Sequence, residues 1–149
     1  MFDFLKMDYI KGDEIDLVIE QKIPERPEIG YVPQYHYKIV LHGSDTKVGS
    51  IGLRVGHNEN TYYAGNIGYG IDKEYRGRHF AAKACMLIKK VAMAHGMDHL
   101  VITCNPGNTP SRKTCEYLGA RLVEIVTLPA DKEMYKAGER RKCRYEWLI

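Results

Sequence analysis

Arg76 and Arg78 flank Gly77 in the stretch YRGRHFAAKA (75–84), where alternating apolar residues upstream give way to helical spacing downstream. A helix that starts straight after a short loop leaves its first N–H groups without partners and carries partial positive charge at that end. Phosphate binds there readily. Gly77 allows close backbone approach, Ala81 and Ala82 keep the first turn narrow, and Arg76 and Arg78 can add charge-assisted hydrogen bonds. Neither GxxxxGK[ST] nor GxGxxG occurs, which excludes a P-loop nucleotide hydrolase and a dinucleotide fingerprint. The physics says an anion at a helix start and does not name the anion. A charged surface turn with two solvated arginines is the plainer alternative.

The elements that must position this cradle follow from periodicity. EIDLVIE (14–20) alternates and is β-branched, so it reads as a strand. Residues 21–34 carry Pro24, Pro27 and Pro33 and read as an irregular loop without a helix. Two further strands, 35–41 and 47–55, are joined by the turn residues HGSDT. NIGYGI (66–71) is a fourth strand whose glycines mark a bulge or a close approach of backbone to ligand. After Gly77, residues Phe80, Ala84, Leu87, Ile88, Val91 and His95 share one helical face, and Gly96 stops the helix. LVITC (100–104) is a central strand buried on both faces. Asn108 or Thr109 caps a short helix with Pro110 at its first position and Gly119 at its end. Strands at 121–126 and 143–149 close the chain around a charged loop, 127–142. The order is β-β-β-β-α-β-α-β-β, a mixed α/β (α+β) arrangement. No repeat or linker interrupts residues 1–149, so one domain is expected.

Composition narrows the class. Of 149 residues, 44% are hydrophobic and 28% charged, an ordinary globular balance. A net charge of +3 without a polybasic block argues against nucleic acid as a partner. The first residues contain acids inside any apolar stretch, which excludes a signal peptide, and no run is long enough for a membrane span. Cys85, Cys104, Cys115 and Cys143 form no CxxC pair and the six histidines lack ligand spacing, so no metal is expected. Reduced thiols in the cytoplasm are the expectation.

IGYGIDKEYRGRHFAAKACMLI resembles motif A of the GNAT superfamily of acyl-CoA-dependent N-acyltransferases, with Arg76 opening and Ala81 closing [Q/R]-x-x-G-x-[G/A]. CNPGNTPSRKTCEYLGA is similar to the next family motif, through Asn108, Ser111 and Gly119-Ala120. The resemblance is specific over 62–126, and is nearest to the branch of ribosomal-protein N-terminal and small-molecule N-acetyltransferases. It implies a mostly antiparallel sheet flanked by helices, and transfer of acetyl from acetyl-CoA to a primary amine on a small molecule or peptide. It also implies residue roles. Tyr69, Gly70 and Ile71 present a splayed strand edge to the pantetheine arm, with the Ile71 N–H at the oxyanion. Gly77, Arg78, His79, Phe80, Ala81 and Ala82, with Arg76, hold the pyrophosphate. Asn108 and Ser111 complete the coenzyme site.

Four departures stand out. His79 occupies the middle glycine of the motif, either facing solvent or touching phosphate. Cys115 stands where many relatives carry a tyrosine that protonates the leaving thiolate, so it is either the general acid, a site of covalent acetylation, or a small core filler. Thr103 replaces a glutamate base found in some relatives; Glu20, Glu25, Glu28, Glu116, His36 and His57 are alternatives, as is a water relay. The two helices that usually shape the acceptor pocket are reduced to the loop 21–34. The acceptor site is then built from loops 21–34, 56–64 and 127–142, and a second subunit can close it as a homodimer. The missing base and tyrosine leave a non-catalytic acyl-CoA sensor as the alternative to an enzyme.

Overall fold

The computed structural model describes all residues, Met1–Ile149. The elements are β1 (Tyr9–Ile10), β2 (Ile15–Ile23), β3 (Gln34–Leu41), β4 (Lys47–Arg54), α1 (Glu59–Ala64) and β5 (Ile67–Ile71). They continue as α2 (Phe80–Ala94), β6 (His99–Cys104), α3 (Thr109–Tyr117), β7 (Arg121–Thr127), α4 (Glu133–Lys136) and β8 (Arg141–Leu148). Two sheets form, one in the order β1-β2-β3-β4-β5 and one in the order β6-β8-β7. Every ladder is antiparallel. All nine elements expected from periodicity are present, in an α+β arrangement of antiparallel sheets flanked by few helices.

Three connections hold more structure than their sequences suggested. Residues 21–34 contain no α-helix, but β2 runs on to Ile23 across a bulge between Ile19 and Gln21, and Pro27–Ile29 form a 3-10 turn. Loop 56–64 contains α1, because Asn58 and Thr61 cap it reciprocally: the Asn58 side chain accepts from the Thr61 N–H, and the Thr61 hydroxyl accepts from the Asn58 N–H. Loop 127–142 contains the single turn α4. β5 carries no bulge in its register with β4; its glycines serve another purpose.

α2 forms where predicted. Phe80, Ala84, Ile88 and Val91 are buried on one face, joined by Cys85 and Ala92, and the helix packs on β2, β4 and β5. Burying each large side chain contributes roughly 1.5–3 kcal/mol before entropy is counted. Gly96 ends the helix with φ 80°, a conformation that suits glycine. The core gathers 23 buried residues from Ile10 to Trp147, all four cysteines among them, and none is in a disulfide.

Candidate active site

Asn66 makes the joint between the sheets. Its backbone N–H donates to Val101 O (2.6 Å) rather than to β4, and its side-chain Oδ1 accepts from the Val101 N–H (2.8 Å). Its Nδ2 takes over the bond to Arg54 O that the ladder loses (3.0 Å), and reaches Gly56 O (2.8 Å). Asn66 is completely buried, and its amide is fully used. Beyond this joint no ladder connects β5 to β6, so the strands separate. The wedge between them opens into a cleft of about 980 Å³, walled by Ile67–Ile71 on one side and Thr103–Asn105 on the other.

Ladder parity decides which backbone groups face that cleft. Asp72 N donates to Val48 O and Arg54 N donates to Asn66 O, so Gly68, Gly70 and Asp72, with the Asn66 carbonyl, point their backbone groups at β4. The N–H groups of Tyr69 and Ile71 therefore point into the cleft. Arg76 Nε donates to Ile71 O (2.9 Å), tying the loop after β5 to the strand end. The side chains alternate as well. Ile67 is in the core and Tyr69 reaches Ser111, so Gly68 and Gly70 lie on the opposite sheet face, where an added Cβ would meet nothing within 4 Å.

The first turn of α2 forms the far end of the cleft. Arg76, Gly77, His79, Phe80 and Ala81 line it. Gly77 has φ 86° and His79 has φ 60° and ψ 23°, making His79 the one non-glycine residue with positive φ. That left-handed backbone explains why glycine suits this motif position, and shows that the histidine departure leaves the turn intact. The His79 ring stacks on Tyr117 of α3 at 4.3 Å and 14°, so the two helix ends meet across the cleft mouth. Arg78 lies over the Tyr75 ring and Ala82 is buried, so these two stand outside the cleft wall.

On α3, Asn108 caps the helix by accepting from the Ser111 N–H (3.2 Å), a backbone role. Ser111 Oγ and Tyr69 Oη are 2.8 Å apart, bridging the cleft from α3 to β5. Burial, offset in part by bonds to Ser111 and Thr114, pushes the Tyr69 phenol up to about 12. Asn105 Oδ1 is buried in the cleft wall without a partner, a free acceptor for a donor on a ligand. Cys115 requires a correction. Its thiol is completely buried in the core rather than lining the cleft, because its helix face packs inward against the other cysteines and α2. Burial pushes its pKa up to about 12, which disfavours the thiolate that covalent acetylation would need, and its place in the core keeps its proton away from the cleft.

A second cavity of about 480 Å³ lies on the outer sheet face, lined by Glu20, His36, Lys47, Ser50 and Gly52 among others. It shares Arg54, Gly68, Tyr69 and Gly70 with the cleft, so the same stretch of β5 is approached from both sides. His36 bonds to Gln34 Oε1 (3.0 Å) beside Gly52. No group of three or more His, Cys, Asp or Glu residues is placed to hold a metal ion, and no helix is long and apolar enough to cross a membrane.

The Acetyltransferase (GNAT) domain family profile matches residues 13–121 of the chain. The chain belongs to the GNAT acetyltransferase family. Solved GNAT-type structures are similar throughout the fold. A probable acetyltransferase from Chromobacterium violaceum superposes with TM-score 0.71 at 15% identity, over 98% of this chain and 88% of that one. The ribosomal-protein-S5-alanine acetyltransferase from Vibrio fischeri gives 0.67 at 13%, over 94% and 96%. The microcin C7 self-immunity acetyltransferase MccE, solved with acetyl-CoA and AMP, gives 0.60 at 19%, over 78% of this chain and 61% of that one. A search of curated protein sequences finds no match.

Within this GNAT frame, some cleft residues escaped the sequence reading. Arg54 and Asn105 reach the cleft from a strand end and from just after β6; Asn105 lies inside the CNPGNTPSRKTCEYLGA stretch but was not among the positions read from it. Met134, Glu139 and Lys142, from the loop 127–142, line this cleft as well. Tyr117, exposed at the end of α3, also lines the cleft through its stack on His79. The glycine pair Gly52 and Gly68, opposite each other in β4 and β5, was the available signal for a bare sheet face.

Proposed function

We propose that this GNAT protein transfers an acetyl group from acetyl-CoA to a primary amine by direct attack in a ternary complex. The observation that carries this reading is the pair of cavities meeting at Gly68–Gly70, one on each face of β5. Donor and acceptor can then meet edge to edge without displacing protein. The residues suit the donor. The α2 N-terminus with Arg76 and the Gly77–Ala81 backbone suits a diphosphate, and the unpartnered Asn105 Oδ1 suits an amide N–H of the pantetheine arm. The Tyr69 and Ile71 N–H groups suit a carbonyl oxygen as it gains charge.

The acceptor amine enters by the outer cavity. There the His36 imidazole can take its proton, directly or through water. Only the neutral amine has the lone pair that attacks the acyl carbon. Four free, buried thiols suit a reducing compartment such as the cytoplasm.

Thermal unfolding with and without excess acetyl-CoA tests the donor site. At 100 times Kd, binding adds ~2.7 kcal/mol, a rise of several degrees for a domain of this size. Arg76→Ala is expected to remove most of that rise, since Arg76 lines the cleft, and Arg78→Ala much less, since Arg78 does not. Release of thiol on adding an amine then separates an enzyme from a sensor that binds coenzyme and turns nothing over.

A further inference from the structure

The reaction proposed above leaves a sulfur anion that needs a proton, and the cysteine expected to supply it is sealed in the core. We propose that Tyr69 is the catalytic residue that protonates the departing thiolate, with Ser111 as the residue that positions its hydroxyl. The inference rests on the acetyl-CoA reading of the cleft and adds a specific donor to it.

Geometry selects Tyr69 from the hydroxyls of the cleft. The Tyr69 ring rises from the same strand whose N–H groups face the acyl carbonyl, and from the residue that supplies one of them. In a thioester held by those groups the sulfur is bonded to the carbonyl carbon they face, which brings it beside this strand. Tyr69 Oη is held across the cleft by Ser111 Oγ at 2.8 Å, and both side chains line the cleft. Ser111 sits one helical turn before Cys115 on α3, so the phenol supplies a hydroxyl beside the turn where the buried thiol fails to. Tyr117 stands at the other end of the cleft, stacked on His79 where the diphosphate is expected. Burial keeps the Tyr69 phenol in its donor form well past neutral pH, as the upward push to about 12 requires.

The step balances. The amine nitrogen bonds to the acyl carbon, the C–S bond breaks, and its electron pair goes to sulfur. The Tyr69 O–H proton moves to sulfur and gives the free thiol. Ser111 Oγ–H donates to the phenolate left behind, and the proton released by the amine returns to Tyr69 through water.

The test needs no acceptor, because a donor aimed at sulfur must lower the pKa of the coenzyme A thiol in the binary complex. The thiolate absorbance of bound coenzyme A is titrated against pH in the wild type and in Tyr69→Phe, Ser111→Ala and Cys115→Ala. The expected result is an upward shift of about one unit or more in Tyr69→Phe, a smaller one in Ser111→Ala, and none in Cys115→Ala. Coenzyme A protection against thermal unfolding is measured on the same samples. Protection retained with an unshifted thiol in Tyr69→Phe would overturn the role of Tyr69 alone. If Tyr69→Phe does not fold, an unshifted thiol in a folded Ser111→Ala overturns the bridge. No protection of the wild type would overturn the acetyl-CoA reading itself, which is a different failure.

Discussion

His79 carries the only left-handed backbone outside the glycines, at the head of α2. A side chain there costs roughly 1 kcal/mol relative to glycine, and the stack on Tyr117 returns a comparable amount. His79→Ala keeps the strain and loses the stack, whereas His79→Gly loses both. His79→Gly should therefore be more stable than His79→Ala by about 1 kcal/mol, read from denaturant midpoints. Cys115 illustrates how identity and role come apart at one position. Its thiol fills core space, so Cys115→Ala should lower stability by about 1–2 kcal/mol through a small cavity and leave turnover per folded molecule within about twofold. A hundredfold loss of turnover with coenzyme binding intact would restore the cysteine to the chemistry.

At the scale of elements, β5 does two jobs with its two edges and two faces. One edge pairs with β4 while the other is released from β6 by Asn66, whose side chain replaces the lost backbone bonds. One face sends Ile67 into the core and Tyr69 to α3; the other, at Gly68 and Gly70, is bare. Gly68→Val places a branched side chain on that bare face, from a Cβ that meets nothing within 4 Å, and relieves the entropic cost of glycine in a strand. It should keep or raise stability by about 0.5–1 kcal/mol, retain the thermal rise with acetyl-CoA, and cut amine-dependent thiol release at least tenfold. Turnover equal to wild type would show that the acceptor does not cross this face.

At the scale of the whole molecule, buried titratable groups set a pH window for folding. Burial alone would raise the pKa of Asp16, but hydrogen bonds from His42, Tyr9, Gly43 and Gly12 outweigh it and hold the carboxyl well below the usual range. Its folded pKa lies below its unfolded one, so its contribution is present at neutral pH and is lost as pH falls below ~4. The alkaline side has the opposite sign. Cys115 and Tyr69 are each pushed up to about 12, so the folded chain keeps protons that the unfolded chain releases. Stability should fall as pH rises from ~9 toward ~12, Cys115 alone accounting for on the order of 3–4 kcal/mol. Urea midpoints should fall on the alkaline side, less steeply in Cys115→Ala. On the acid side the fall should begin modestly below ~6.5, where burial holds His57 and His95 neutral, and steepen below ~4 with Asp16.

Periodicity and turn chemistry are local properties, so the nine main elements, the start of α2 after Gly77 and a cap at Asn108 or Thr109 were legible from residues 14–149 alone. So was the glycine-led turn at the head of α2, because a helix N-terminus needs only its own residues to form and to be electropositive. α1 and α4 went unread because a helix of one or two turns has too few positions to show a period. What the tertiary structure decided is which of the named residues face the same space. Packing put Cys115 in the core and the turn set Arg78 over Tyr75, outside the cleft, while Asn66 opened the gap that lets Tyr69 of β5 reach Ser111 of α3. Those outcomes depend on contacts between segments dozens of residues apart, and no spacing along the chain encodes them.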